Sequence, residues 1–213
     1  MKLVVATKLN SLWQAQIETL QKKHPSLTIT AVTDPQDPAV VDARIIMGTM
    51  ISEELLHRAD RLEAVAVPFA GVNHLPLDLL AQKRVSLANA HANARYVAER
   101  VLALTMGYLG KLVPYHEDLR EERWHGFAVG ESVRKSWDSL VGARIAVLGA
   151  GAIGNWTAKM FKLFDTTVVG YRRTPVNPEY PYDEMTTDID EAVRGAEVVV
   201  CALPLTDKTT GIL

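Results

Sequence analysis

The chain has 213 residues, of which 48% are hydrophobic, and this is enough for one large domain or for two small domains with cores of their own. Its net charge of −2 provides no overall attraction to nucleic acid or to an anionic membrane, and its single cysteine, Cys201, excludes an internal disulfide. The first residues lack the long apolar core of a signal peptide, and the most apolar helical stretch is interrupted by Arg100 and Lys111. These features predict a soluble cytoplasmic protein.

The N-terminal part alternates strand and helix patterns. Strands are predicted over the segments KLVVAT, LTITAV, ARIIMG and LEAVAVPF, the last of which is stopped by Pro68. One helix is predicted from Asn10 and Ser11, which suit a cap, and a second over SEELLHRA, where Ser52 is the cap. Strands separated by short helices indicate βαβ units and a parallel sheet.

A long helical stretch begins near Asn93 and reads NARYVAERVLALTMGYLGKLVPYHEDLREERW, with an interruption expected at Pro114. A polar segment over residues 125–139 follows, and a second βαβ series starts after it. The helix is therefore predicted to bridge two α/β domains, one over residues 1–92 and one over residues 93–213.

The second series opens with the segment ARIAVLGAGAIGNWTAKMFKLF. Gly149, Gly151 and Gly154 have G-x-G-x-x-G spacing, directly after an apolar strand and at the start of an amphipathic helix. The first glycine allows a tight turn, the second lets the backbone approach a pyrophosphate, and the third lets the helix pack on the strand. This context predicts dinucleotide binding, with a purely structural glycine turn as the alternative.

Two arginines stand where a nucleotide-binding strand of this kind usually ends in an acid. A carboxylate there binds the ribose 2′-hydroxyl of NAD, whereas a guanidinium pairs with the 2′-phosphate of NADP. Here the strand TTVVGY ends on Arg172 and Arg173, with Tyr171 placed to flank the adenine. The pattern favours NADP over NAD as the cofactor, and the alternative is two solvated arginines on a surface loop.

The chain resembles the D-isomer-specific 2-hydroxyacid dehydrogenases, the family of phosphoglycerate, glyoxylate/hydroxypyruvate and D-lactate dehydrogenases. The resemblance runs in order through AVPFAGVNHLPLDLLAQKRVSLANAHANARYVAERVLAL, LVGARIAVLGAGAIG and DIDEAVRGAEVVVCALPLTDKTTGIL. It implies an α/β fold with a flavodoxin-like substrate domain and an incomplete Rossmann dinucleotide-binding domain. Two residues depart from the family pattern: Arg172 replaces the usual aspartate, and Asp165 replaces a glycine common after the first Rossmann helix.

The resemblance also implies roles for individual positions. Backbone N–H groups of Ala70 and Gly71 would hold the carboxylate of a small 2-oxo or 2-hydroxy acid, unless Gly71 only permits a turn. Those of Ala152 and Ile153 would meet the pyrophosphate. For a further set of positions, packing is as reasonable an explanation as contact with the cofactor: Asn93, Val97, Ala202, Leu203, Pro204 and Thr209.

In this family an arginine, a glutamate and a histidine carry the hydride-transfer chemistry, and the resemblance places all three after the last segment of this chain. No catalytic residue and no metal site are assigned, because His74 and His91 are better explained as loop surface residues. The expectation is therefore a truncated, inactive dehydrogenase that forms a homodimer through the bridging helix. A non-catalytic dinucleotide-binding or partner-binding protein is the alternative, and a Rossmann protein for another adenosine cofactor such as S-adenosylmethionine is disfavoured by the arginines.

Overall fold

The computed structural model describes residues 1–124 and 137–212, and most of the polar segment predicted over residues 125–139 lies outside these residues. The chain divides into two units. The first contains Met1–His91 together with the segment that begins at Leu205, and the second contains Ala92–Pro204.

A parallel five-stranded sheet forms the first unit, in the order β2-β1-β3-β4-β5, which is the flavodoxin-like order. Its central strands are apolar and buried, as expected of a sheet covered on both faces, and Val4 and Val5 are fully inaccessible to solvent. The elements of this unit are β1 (Lys2–Ala6), α1 (Ser11–Lys23), β2 (Thr28–Val32), β3 (Ile45–Gly48), α2 (Glu53–Arg58), β4 (Ala64–Ala66), α3 (Leu77–Gln82) and β5 (Ser86–Ala88).

The predicted caps of the first unit are confirmed. The side chain of Asn10 accepts the N–H of Trp13 at 3.0 Å, and Ser52 Oγ accepts the N–H of Leu55 at 3.2 Å. Strand β4 ends at Ala66, two residues before Pro68.

Four parallel strands form the sheet of the second unit, in the order β8-β7-β6-β9. This order corresponds to the first four strands of a Rossmann sheet. The α/β fold expected from the sequence is therefore confirmed. The elements of this unit are α4 (Ala94–Leu109), α5 (Leu112–Arg120), β6 (Arg144–Leu148), α6 (Ala152–Phe161), β7 (Thr167–Tyr171), β8 (Glu184–Thr186), α7 (Ile189–Val193) and β9 (Val198–Cys201).

The long helix breaks earlier than the sequence predicts. The expected interruption at Pro114 is wrong, because α4 ends at Leu109 with Gly110 as its C-cap, and Lys111 adopts a left-handed conformation (φ 49°) before α5 begins. Pro114 then falls in the first turn of α5, where a backbone N–H would have no partner within the helix and a proline is tolerated.

Helix α4 packs against the sheet and α6 within the second unit. Its residues Val101, Leu102 and Leu109 contact the cluster that contains Ile145, Phe161 and other buried residues of the Rossmann sheet and α6. No helix in the described part of the chain is long and apolar enough to cross a membrane.

Candidate functional site

The glycine-rich turn between β6 and α6 has the geometry expected of a phosphate-binding loop. Gly149 has φ +101°, and a Cβ atom there would lie 2.8 Å from the backbone carbonyl of Ala202. A Cβ atom at Gly154 would lie 2.2 Å from the carbonyl oxygen of Gly149, so only glycine lets α6 pack this closely on the turn. Gly151 faces open space, with no atom within 4 Å of a Cβ position, which leaves room for a ligand to approach the backbone.

Helix α6 presents a positive end above this space. Gly151 is its N-cap and offers no side chain to the first turn, and no acidic residue lies in that turn. The N–H groups of Ala152 and Ile153 have no acceptor within the helix, because the first residues of a helix lack a preceding turn. Together with the helix dipole, these N–H groups favour an anion such as a pyrophosphate.

The end of β7 is tied to the glycine turn. The carbonyl oxygen of Tyr171 accepts the N–H of Gly149 at 3.0 Å and that of Ala150 at 3.3 Å. The N–H of Arg172 donates to the carbonyl of Thr186 at 3.2 Å, which fixes its backbone at the strand end. The side chains of Arg172 and Arg173 are exposed, and neither forms an ion pair within residues 1–124 and 137–212.

The end of β9 forms the opposite side of the same sheet edge. Ala202 donates its N–H to Leu148 at 2.8 Å and lies against Gly149. Leu203 is half-buried and packs against the cluster of Leu148, Val169 and Ala192, which supports the packing explanation for this position. The structure thus brings together the glycine turn, the end of β7 and the end of β9, as the sequence predicts for a nucleotide site.

The positions predicted to bind substrate lie in the first unit. Ala70 and Gly71 follow β4, and Asn89 Nδ2 donates to the carbonyl of Ala70 at 2.8 Å. A Cβ atom at Gly71 would come no closer than 3.4 Å to its nearest neighbour, Asn73 Oδ1. The turn itself therefore tolerates a side chain, and the suggestion that Gly71 only permits a turn loses its main support.

The remaining predicted positions are engaged locally or exposed. The hydroxyl of Thr209 accepts the N–H of Thr206 at 2.8 Å, and its segment groups with the first unit. Asn93 is the N-cap of α4, where its carbonyl accepts the N–H of Val97 at 3.0 Å. His74 is exposed beside the ring of Phe69, with 5.1 Å between the ring centroids, and His91 is also exposed.

Comparison with known proteins agrees with this geometry. A model of the D-isomer specific 2-hydroxyacid dehydrogenase NAD binding domain matches residues 102–213, more than half of the chain. The chain belongs to this dehydrogenase family. The family resemblance seen in the sequence is thereby confirmed, and the second unit contains most of the match to the family's NAD-binding domain.

Individual relatives support the same assignment. The chain is similar to formate dehydrogenase of Neurospora crassa, with 28% identity over 188 residues, which cover 83% of this chain and 49% of that protein. It is similar to D-3-phosphoglycerate dehydrogenase of Methanocaldococcus jannaschii, with 24% identity over 182 residues, 82% of this chain and 33% of that protein. The chain thus spans half or less of the length of these two curated relatives.

Among solved structures, a protein of Pyrococcus horikoshii OT3 matches with a TM-score of 0.80 and 26% identity. The match covers 99% of this chain and 64% of that one.

A buried tyrosine, which sequence reasoning missed, forms a hydrogen bond with the helix that follows the glycine turn. The phenol of Tyr182 donates to Asn155 Oδ1 on α6 at 2.9 Å. Burial raises the pKa of Tyr182, against a smaller opposing effect of nearby Arg172, so the phenol remains protonated and able to donate. A Cβ atom at Gly170 would lie 2.7 Å from the Tyr182 ring, so glycine in β7 makes room for this contact.

A second group that sequence reasoning missed is a cation–aromatic cluster beside α6. The ring of Trp156 has the Arg95 guanidinium 5.5 Å and the Lys159 ammonium 5.0 Å from its centroid. The three-residue spacing of Trp156 and Lys159 on one helix was a usable signal. Arg95 lies on α4, far away in sequence, and only the packing of the two helices brings it here.

Proposed function

We propose that the intact protein is a reductase that transfers hydride from NADPH to a small 2-oxo acid. Family membership supports the reaction type, and the family's NAD-binding domain supports a nicotinamide cofactor. The single observation that carries the preference for NADPH is Arg172, whose exposed guanidinium follows β7 at the position that takes an acid in NAD-binding strands.

Each part of the nucleotide site has a role in this proposal. The backbone of Gly149, Gly151 and Ala152–Gly154 receives the pyrophosphate, and the guanidinium groups of Arg172 and Arg173 pair with the 2′-phosphate. Tyr171, which is half-buried beside the glycine turn, borders the adenine. Ala202, Leu203 and Pro204 line the adenosine side, and Thr209 is assigned to a phosphate by the family resemblance.

The cofactor preference is tested by exchanging the charge at position 172. Arg172→Asp removes a charge-assisted pairing with the 2′-phosphate, so we expect NADP⁺ affinity to fall about ten- to a hundredfold while NAD⁺ affinity is kept or increased. Titration calorimetry with both cofactors measures this. Arg194→Asp, which changes another exposed arginine of the second unit, is the matched control. Equal affinity of the unmodified chain for the two cofactors would contradict the proposal.

The substrate side of the proposal rests on Ala70 and Gly71. Their backbone N–H groups bind the carboxylate of the 2-oxo acid, the nicotinamide supplies the hydride, and the open surface at Gly71 gives the acid access. In the intact protein, glyoxylate and hydroxypyruvate are the acids to try first. Gly71→Val should raise KM for both with little change in cofactor affinity, because it adds bulk only on the substrate side.

The 213-residue chain by itself is expected to bind the cofactor without turnover. Reduction of a 2-oxo acid requires a proton donor and a cation at the carbonyl oxygen. In the described part of the chain, none of the side chains of His24, His57, His74, His91 or His116 has a hydrogen-bonded carboxylate that would tune it as a donor. NADPH oxidation assayed with the purified chain should stay at the uncatalysed rate, and turnover near one per second would contradict this expectation.

We also propose that the protein is a homodimer through α4 and α5. Leu104, Tyr108, Leu112 and Val113 are 62–84% exposed and lie around a groove of about 760 Å³ between these helices. A contiguous apolar surface of this kind is typical of a protein interface. A cytoplasmic location is proposed as well, because the one cysteine is exposed and a reducing compartment would keep it as a thiol.

A further inference from the structure

Arg95 carries a positive charge that has no ion-pair partner among the described residues. It lies in the first turn of α4, which contains no acidic residue, and the positive end of the helix dipole disfavours a cation there. Within residues 1–124 and 137–212, Arg95 forms no ion pair. The guanidinium is instead held on the ring of Trp156, which is 38% exposed.

Lys159, the other cation on this ring, has an ordinary structural explanation. It lies in the last turn of α6, where the negative end of the helix dipole favours a positive charge. Its ammonium lies 5.0 Å from the ring centroid and adds a second positive charge to the cluster. This charge makes the binding of an anion beside Arg95 more favourable.

The start of α6 lies close to Arg95. Helices α4 and α6 run in the same direction, because Leu109 at the end of α4 and Phe164 just after α6 line one cavity. Ala94 and Ala98 are buried, and their small side chains permit close packing of α4 where it begins. The first turns of both helices therefore lie at the same end of the second unit.

Trp156 directs the guanidinium toward the glycine turn. Residues four apart share a helix face, so Trp156 lies one turn above Ala152, and helical side chains lean toward the N-terminus of their helix. Its indole therefore covers the turn that begins at Ala152 and Ile153. A guanidinium held 5.5 Å from the centroid of this ring is thereby directed toward the first turn of α6.

We infer that Arg95 is a cofactor-positioning residue, which pairs with the pyrophosphate at the start of α6 from its platform on Trp156. The inference rests on the proposed dinucleotide function and adds a side-chain cation from α4 to a site otherwise built from the backbone. Its chemistry differs from that of Arg172 and Arg173, because a pyrophosphate is common to both dinucleotides and a 2′-phosphate is not. Arg95 therefore raises affinity without selecting between them.

The test compares three variants with the unmodified chain by titration calorimetry with NAD⁺ and NADP⁺. Arg95→Gln should weaken both cofactors alike, by about ten- to a hundredfold, and leave the ratio of their affinities unchanged. Arg172→Gln should change that ratio. Arg100→Gln, an exposed arginine on the same helix, is the matched control and should change neither value.

A double-mutant cycle separates positioning from simple stabilisation. Trp156→Leu should weaken both cofactors, and the combination with Arg95→Gln should add little, because the second change removes a guanidinium that has already lost its platform. The dependence of affinity on salt concentration should also become shallower in Arg95→Gln, which a purely structural role would not produce.

The outcomes separate the inference from the function on which it rests. If the unmodified chain binds both cofactors and Arg95→Gln binds them equally well, Arg95 has no role at the pyrophosphate while the proposed function stands. If Arg95→Gln loses affinity for NADP⁺ alone, Arg95 lies at the 2′-phosphate. If Arg100→Gln loses as much affinity as Arg95→Gln, the effect is one of overall charge. Either result overturns the inference. Failure of the unmodified chain to bind either cofactor overturns both.

Discussion

Thr157 lies on the face of α6 that packs against the sheet, and its side chain is 1% exposed. Its hydroxyl has no hydrogen-bond partner in the part of the chain that the structure describes. A buried hydroxyl without a partner costs about 1–3 kcal/mol, so this residue weakens the helix that carries the glycine turn. Valine has nearly the same shape and no hydroxyl.

Thr157→Val is therefore expected to raise the free energy of unfolding by about 1 kcal/mol. Urea unfolding followed by circular dichroism measures the change. Thr105→Val is the control, because the hydroxyl of Thr105 donates to the carbonyl of Val101 at 2.9 Å and its removal brings no such gain. A lower stability of Thr157→Val would show that the hydroxyl is satisfied in solution.

The backbone conformation of Asp165 explains why an aspartate can stand where the family resemblance predicts a glycine. It follows α6 and its short 3₁₀ extension with φ 55° and ψ 27°, a left-handed conformation that glycine adopts without strain. Aspartate is among the few other residues that visit this region readily. The aspartate at this position thus has a backbone conformation that also suits glycine, the residue expected there from the family resemblance.

At the scale of elements, an ion pair joins the first strand of the second sheet to its edge strand. The Arg144 guanidinium on β6 donates twice to the carboxylate of Glu184 on β8, at 2.9 Å each. The hydrogen bonds from Arg144 are the main cause that holds the pKa of Glu184 below its ordinary value of 4.5. The pair connects strands on both sides of β7.

Glu184→Gln should lower the free energy of unfolding by roughly 0.5 kcal/mol at pH 7, since both side chains are partly exposed. A depressed pKa in the folded state gives stability that is present above pH 4.5 and is lost as the pH falls through the lowered value. The difference from the unmodified chain should therefore disappear in acid. Urea midpoints at pH 7 and pH 3 test this, with the exposed Glu179→Gln as control. A difference as large at pH 3 as at pH 7 would contradict the ion-pair explanation.

Buried strands were predicted from the sequence, and two short strands with exposed positions were not. Strands β1, β3, β6 and β7 are continuous apolar runs, and the sequence identified them. Strands β5 and β8 are three-residue strands with exposed positions, too short to show a period, and they were not predicted. The helix break was misplaced because the proline signal is strong in sequence, whereas the left-handed conformation falls on Lys111, a residue type that gives no such signal.

At the scale of the whole molecule, the exposed face of α4 and α5 is the proposed dimer interface. If a second copy covers this face, a charge placed in its centre should separate the subunits, because burying an unpaired carboxylate is costly. Tyr108→Glu is therefore expected to give a monomer in light scattering at micromolar concentration, where the unmodified chain is a dimer. Leu12→Glu, which changes an exposed leucine on α1, should leave the dimer intact. A folded but monomeric unmodified chain would contradict the proposal.

The parts of the candidate site that lie close together in sequence were predictable, whereas the contacts between residues of separate elements were not. Gly149, Gly151 and Gly154 lie within six consecutive residues, and their spacing indicates a phosphate loop together with the strand before it and the helix after it. The contact of Tyr182 with Asn155 and that of Arg95 with Trp156 join residues from separate elements. Such contacts follow from helix and strand packing, which no short motif encodes.

The arrangement at the end of β7 has a consequence for how this protein can change over time. The backbone of Arg172 contributes a hydrogen bond to Thr186, and its exposed side chain contributes nothing to the core. Under the proposed assignment, Arg172 selects between NADPH and NADH as the reductant. Folding does not constrain the side chain at this position. A lineage can therefore exchange a biosynthetic reductant for a catabolic one through a few codon changes, without any compensating mutation elsewhere.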